Sequence, residues 1–257
     1  MEIYFFTAVD ENPDYRREAD ILQASGRAYG RQIHRHEIPA GQRWNRYKVD
    51  LLLTDLPAAD RYVYLDSDTV LTGPGDWEAD DCQGVADVLY YMDEPHRLKH
   101  TAGFMRNHTT CIGDGPAWDY VAALWHEQHE PIWCNSGVVV LDAAIRRPFC
   151  RLWKDRLTDI DGHCARGFVE GDEYALCFAR AEFGLPLLPP RFNGMCKWQP
   201  IYPWHVLIHA DGNVGWPKRQ PYTAAVAALN LPDRKETPCA SSLSAGPDSS
   251  AATAAIT

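Results

Sequence analysis

The chain has no stretch approaching the roughly 18 apolar residues that a membrane-spanning helix needs, so no integral membrane segment is expected. Cys-x-x-Cys pairs are also missing. The 8 cysteines are too sparse for a small disulfide scaffold, and Cys134, Cys150 and Cys177 sit in apolar contexts where a free thiol is a small core residue. Basic residues are outnumbered, with 25 Lys and Arg against 35 Asp and Glu. The resulting net charge of −10 argues against a nucleic-acid partner, although a local basic pocket remains compatible with it. No basic stretch precedes the apolar opening Met1-Glu-Ile-Tyr-Phe-Phe6, which is expected to be a first strand and not a secretory leader. A reduced, cytoplasmic protein is the expectation.

What the chain does have is a globular composition, 46% hydrophobic with 9 Trp and 12 Tyr over 257 residues, enough for a substantial core. Residues 3–9 form a nearly continuous apolar run, as in a central parallel strand. Helical spacing follows over 15–29, a second strand over 30–38, a helix over 44–56 stopped by Pro57, and a strand over 62–65. This β-α-β-α-β opening predicts a doubly wound α/β fold. Further strands are expected at 85–91 and at 134–142, the latter buried and preceded by a tight turn, with Asn135-Ser-Gly137 also readable as a turn leading into Val138. Helices are expected at 117–129, 149–158 and 172–181, and a long loop at 92–116. Residues 1–229 read as one domain, and 230–257 as a low-complexity, disordered tail poor in large apolar residues.

The most informative stretch is Tyr62-Val-Tyr-Leu-Asp66-Ser-Asp68, a buried-type strand ending on two carboxylates. Two acids at such an edge are costly unless a cation lies between them, and hard oxygen ligands suit Mg²⁺ or Mn²⁺. A metal held there with open positions points to chemistry on a diphosphate. The plainer alternative is an Asp-Ser turn.

Five segments together resemble nucleotide-sugar glycosyltransferases of the GT-A fold, and more narrowly the glycogenin-like and lipopolysaccharide galactosyltransferase-like enzymes of glycosyltransferase family 8. They are Thr7-Ala-Val-Asp10 with Tyr15, Leu65-Asp-Ser-Asp68, Asn135-Ser-Gly137, Gly171-Asp-Glu173, and His209-Ala-Asp-Gly212 with Trp216-Pro-Lys218. The resemblance implies a Rossmann-like, mixed central sheet flanked by helices. It implies transfer of a hexose-type sugar from a UDP-sugar to a hydroxyl acceptor with retention, using Mn²⁺, with Mg²⁺ as the alternative. The donor-binding part would be about residues 1–90 and the acceptor side about 91–229. The acceptor itself stays open among a glycan, a peptide and a small molecule.

By the same resemblance Asp66, Asp68 and His209 would ligate the metal, with Ser67 between the acids and His205 as the competing histidine. Thr7, Ala8, Asp10 and Tyr15 would cradle the nucleoside. Lys48, with Arg46 as its alternative, Gly212 and Lys218 would serve the diphosphate and sugar. Lys218 departs from the family, since Trp216-Pro-Lys218 stands where Lys-Pro-Trp is common. Asn135, Ser136 and Gly137 would lie against the donor sugar, and Asp172 and Glu173 near its anomeric carbon. Glu173 replaces the family's usual glutamine. Front-face attack is preferred over a double displacement through Asp172 or Glu173. Trp118, Trp125, Trp133, Trp198 and Asn193 are acceptor-side candidates, and the irregular His96, His100, His108 and Cys111 make a poor zinc site. Three rival readings are a GT-A nucleotidyltransferase, disfavoured by the acidic, glycine-free loop Asp10–Asp14, a catalytically silent sugar-nucleotide or carbohydrate binder, and a metal-dependent phosphohydrolase.

Overall fold

Side-chain alternation in the central strands gives the sheet two apolar faces, and each must be covered. The computed structural model describes residues 1–87, 116–127, 132–163, 171–196, 201–210 and 220–229. In chain order the described elements are β1 (Ile3–Val9), α1 (Pro13–Ala28), β2 (Ile33–Glu37), α2 (Trp44–Leu53), β3 (Arg61–Leu65), β4 (Thr69–Leu71), β5 (Gly84–Asp87), α3 (Pro116–Glu127), β6 (Cys134–Asp142), α4 (Ala143–Gly162), α5 (Gly171–Phe183), β7 (Gly194–Met195), β8 (Leu207–His209) and α6 (Gln220–Ala228). The expected tail lies outside the described residues.

The main sheet has the order β2-β1-β3-β6-β5, and a smaller sheet runs β4-β8-β7. Strands β1, β2 and β3 are parallel, whereas β6 runs antiparallel to both β3 and β5. The fold is therefore α/β with a mixed central sheet flanked by helices. Tyr4, Phe6, Tyr62, Tyr64, Val139 and Leu141 face one core, which is closed by α2, α3, α4 and α5. The intervening Phe5, Val63, Leu65, Val138 and Val140 face the other, with Leu22 of α1, Trp77, Phe192 and Leu207.

Local chemistry sets the helix ends nearest the site. Asn12 caps α1 by accepting from the Asp14 amide at 3.0 Å, with Pro13 as its first residue. The helix stops where Gly30 takes φ 72° and Arg31 N donates back to Gly26 O. Helix α4 begins directly after β6 and carries Pro148 inside it, so it is longer than the helix expected over 149–158. No described helix is long and apolar enough to cross a membrane.

Arg61 secures the far end of β3. It is buried, donates to Asp142 Oδ1 at 2.6 Å, and reaches the carbonyls of Trp77 and Ala79 at 2.6 and 2.7 Å. Arg61→Ala is expected to cost about 3 kcal/mol in urea unfolding, because it strips buried groups of their partner. Removing the partner of the exposed Glu182 carboxylate by Arg156→Ala should cost under about 1 kcal/mol.

Candidate functional site

From β1 the chain goes out to β2 and then returns past β1 to β3, so the sheet has its switch point between the C-terminal ends of β1 and β3. Ligand sites of open α/β sheets lie at such points. Because β6 is antiparallel, its N-terminal end shares this edge, with Val138 opposite Leu65. The N-termini of α1 and α2 open at the same edge.

Asp66 and Asp68 do form a turn: Thr69 N and Oγ1 both donate to Asp66 O, at 3.2 and 2.8 Å. The turn also brings the acids together, which unites the two readings of this triplet. Pairing of β4 with β8 sets Thr69 opposite His209, and Ala210 N donates to Asp68 O at 2.9 Å. His209 Nε2 lies 3.1 Å from Asp68 Oδ1. Asp66, Asp68 and His209 each offer one ligand atom, all within 4.8 Å of one another. Two carboxylates and an imidazole suit a divalent ion of borderline hardness.

Asn135, Ser136 and Gly137 lie inside β6, whose bounds are those of the expected strand over 134–142, and not in a turn leading into Val138. Val85 faces Val139 but Ala86 faces Asn135, so β6 bulges away from β5 over the intervening residues. The bulge is held by Gly137 N donating to Asn135 Oδ1 and by Asp66 N donating to Gly137 O, both at 2.8 Å. A Cβ on Gly137 would stand 2.3 Å from His209 Cε1 and 2.9 Å from Asp66 Oδ2. Only glycine lets the strand pass this close beneath the candidate ligands.

Lys48 projects from α2 into the site and is fully buried. Its Nζ lies 2.8 Å from Ser136 Oγ, 3.3 Å from Asp66 Oδ1 and 3.4 Å from Asp172 Oδ2. Burial alone would lower its pKa; Asp66, Asp172 and Glu173 outweigh that and raise it, so the ammonium stays charged. Asp172 begins α5 and accepts from Ser136 Oγ at 2.8 Å. Burial raises its pKa, opposed chiefly by Lys48. Its Oδ1 is buried and has no hydrogen-bond partner among the described residues. Glu173 Oε1 accepts from Asn135 Nδ2 at 2.6 Å.

At the β1 end, Thr7 and Ala8 are buried, and Asp10 Oδ1 accepts from Asn12 N at 2.9 Å. Tyr15 is 36% exposed on the first turns of α1. Its phenol is pushed up by burial and then by the charges of Asp68, Glu18, Asp10 and Asp66. Ser67 is buried in the turn.

Several candidates do not join the site. Arg46 pairs with Asp161 on the surface, leaving Lys48 as the inward cation of the two. His205 bonds the Tyr202 backbone and is not among the converging ligands. Trp125 and Trp133 are core residues packed edge-on against Phe178 and Tyr174. Asn193 is buried next to β7. Gly212, Lys218, Trp198, His96, His100, His108 and Cys111 lie outside the described residues, as does the side chain of Trp118.

Two further residues belong to this cluster. Tyr64 donates to Asp66 Oδ1 at 2.7 Å, and its phenol is pushed well up by burial and by Asp66. Its place two residues before Asp66, on the same strand face, was a usable signal. Trp153 Nε1 donates to the Asp172 carbonyl at 2.8 Å, a contact between helices that spacing does not announce.

No protein-family model and no curated protein matches the chain. Among solved structures it is similar to a glycosyltransferase involved in glycosylation of the major capsid of PBCV-1, at 10% identity, covering 90% of this chain and 99% of that one with a TM-score of 0.47. It is also similar to the galactosyltransferase LgtC in complex with donor and acceptor sugar analogues, at 14% identity, covering 90% and 97% with a TM-score of 0.47.

Gly137→Ala is expected to weaken Mn²⁺ binding by at least about tenfold in calorimetry, because the added methyl displaces His209 and Asp66. Gly162→Ala, whose Cβ would meet nothing within 4 Å, should leave the affinity unchanged.

Proposed function

We propose that the chain is a metal-dependent glycosyltransferase that moves a hexose from a UDP-sugar to a hydroxyl acceptor with retention. The observation that carries this reading is the order of groups along one sheet edge. Tyr15, Thr7 and Asp10 stand at β1, Asp66 and Asp68 with His209 at β3, and Asn135, Ser136 and Asp172 at β6. Two strand spacings, about 10 Å, separate the ends of that row. A nucleoside, a diphosphate and a sugar are joined in the same order, which matches an aromatic with backbone groups, a cation site, and a polar corner.

Asp66, Asp68 and His209 would hold the ion, Mn²⁺ before Mg²⁺ because imidazole is one of the ligands. When bound, the ion supplies Lewis-acid neutralisation of the charge on the departing diphosphate. Lys48 adds a fixed positive charge on the sugar side of Asp66 and opposes the upward push of burial on the Asp172 carboxyl. Asp172 Oδ1 is then an acceptor for a sugar hydroxyl, and Gly137 lets the strand lie close beneath His209 and Asp66. Asp172 and Glu173 are each tied by a neighbour, to Ser136 and Asn135 respectively. Such restraint suits positioning better than nucleophilic attack, and favours front-face transfer with the leaving oxygen taking the acceptor proton. The donor site draws on both parts of the chain, since residues near 135, 172 and 209 complete what residues 1–90 begin.

UDP with saturating Mn²⁺ should raise the thermal midpoint by several degrees, the scale set by about 2.7 kcal/mol at a hundredfold excess over Kd. Asp68→Asn should remove most of that shift. A panel of UDP-sugars should give metal-dependent UDP release with at least one donor. No shift with any nucleoside diphosphate and no release from any donor would sink the proposal.

A further inference from the structure

Trp44 opens α2 and is 46% exposed, as Trp204 is at 48%, whereas Trp77, Trp125, Trp133 and Trp153 are buried. Its ring lies over the Lys48 ammonium, with Nζ 4.9 Å from the ring centroid. The i, i+4 spacing on α2 sets this pairing. Lys48 is itself fully buried against Asp66, Ser136 and Asp172. The indole therefore covers the buried Lys48 ammonium, and nearly half of its surface is open to solvent.

We propose that Trp44 is the stacking platform for the acceptor, and that the acceptor is a glycan presenting a pyranose ring. This rests on the glycosyltransferase reading above. Asp172, with no exposed surface, marks the inner end of the corner, where the donor hexose would lie. The next ring outward meets the indole. A flat, rigid aromatic matches the apolar C–H face of a pyranose and loses little conformational entropy on binding. A peptide backbone has no flat C–H face of comparable fit to the indole. The nucleobase has its own aromatic in Tyr15, which stands on α1 and so on the opposite face of the sheet from α2.

The test is saturation-transfer NMR on the full chain with UDP and Mn²⁺, using methyl α- and β-glycosides of glucose, galactose, mannose and N-acetylglucosamine as probes. Wild type should saturate the ring C–H protons of at least one glycoside. Trp44→Ala should weaken that binding about tenfold, whereas Trp44→Phe should retain most of it. The thermal shift by UDP and Mn²⁺, run on all three proteins, reports the fold and the donor site independently. A wild type that binds no glycoside, or a Trp44→Ala protein that binds as well as wild type, overturns the proposal. Loss of the UDP shift in wild type would instead strike the donor reading.

Discussion

A fully buried ammonium held among carboxylates is the constraint on which the rest of this structure depends. Lys48 comes from α2, Asp66 from the end of β3, Ser136 from the bulge in β6, and Asp172 from the start of α5. One side chain thus joins four segments that are distant in sequence. Such an arrangement is a poor device for stability alone, because desolvating these charges offsets most of their attraction, and well-packed apolar residues often do as well. What it does provide is fixed charge, aimed at one edge of a rigid sheet and shielded from water. Preorganised charge of this kind is what the departure of a diphosphate would require.

The sheet explains why the groups meet. The two crossovers through α1 and α2 place the open ends of β1 and β3 side by side, and antiparallel β6 adds its N-terminal end to the same edge. The small β4-β8-β7 sheet then folds back so that His209 faces Asp68. Gly137 sets how closely these layers approach, and any larger residue would occupy the space of the imidazole. Trp153 fixes the first turn of α5 from outside, through the carbonyl of Asp172. The positions of the carboxylates follow from packing as much as from their own hydrogen bonds.

Much of this was legible in the residues. Apolar runs at 3–9 and 62–65 located β1 and β3, because strands buried on both faces need continuous hydrophobicity. Asp66, Asp68 and His209 were named together, and the structure brings them within reach of one ion. Lys48 was separated from Arg46 only by the structure, since both lie near the start of α2 and only their directions differ. The bulge at Asn135–Gly137 was also readable as a turn because Asn-Ser-Gly has turn chemistry; its true form depends on the register of β5, which local sequence does not carry. The direction of β6 was equally invisible, since alternation and burial look alike in parallel and antiparallel strands. Trp125 and Trp133 follow the commoner fate of a tryptophan, for an aromatic near a proposed acceptor side is still most often core.

The central claim is that Asp66, Asp68 and His209 hold one divalent ion at the sheet edge, where a nucleoside diphosphate completes its coordination. Electron paramagnetic resonance of Mn²⁺ titrated into the protein addresses it most directly, with nitrogen and phosphorus couplings read from the bound ion. The account predicts one bound Mn²⁺ per chain, tightened by UDP, with phosphorus coupling from the nucleotide and an imidazole nitrogen coupling that disappears in His209→Gln. Binding indifferent to UDP, or a nitrogen coupling that survives in His209→Gln, would contradict it.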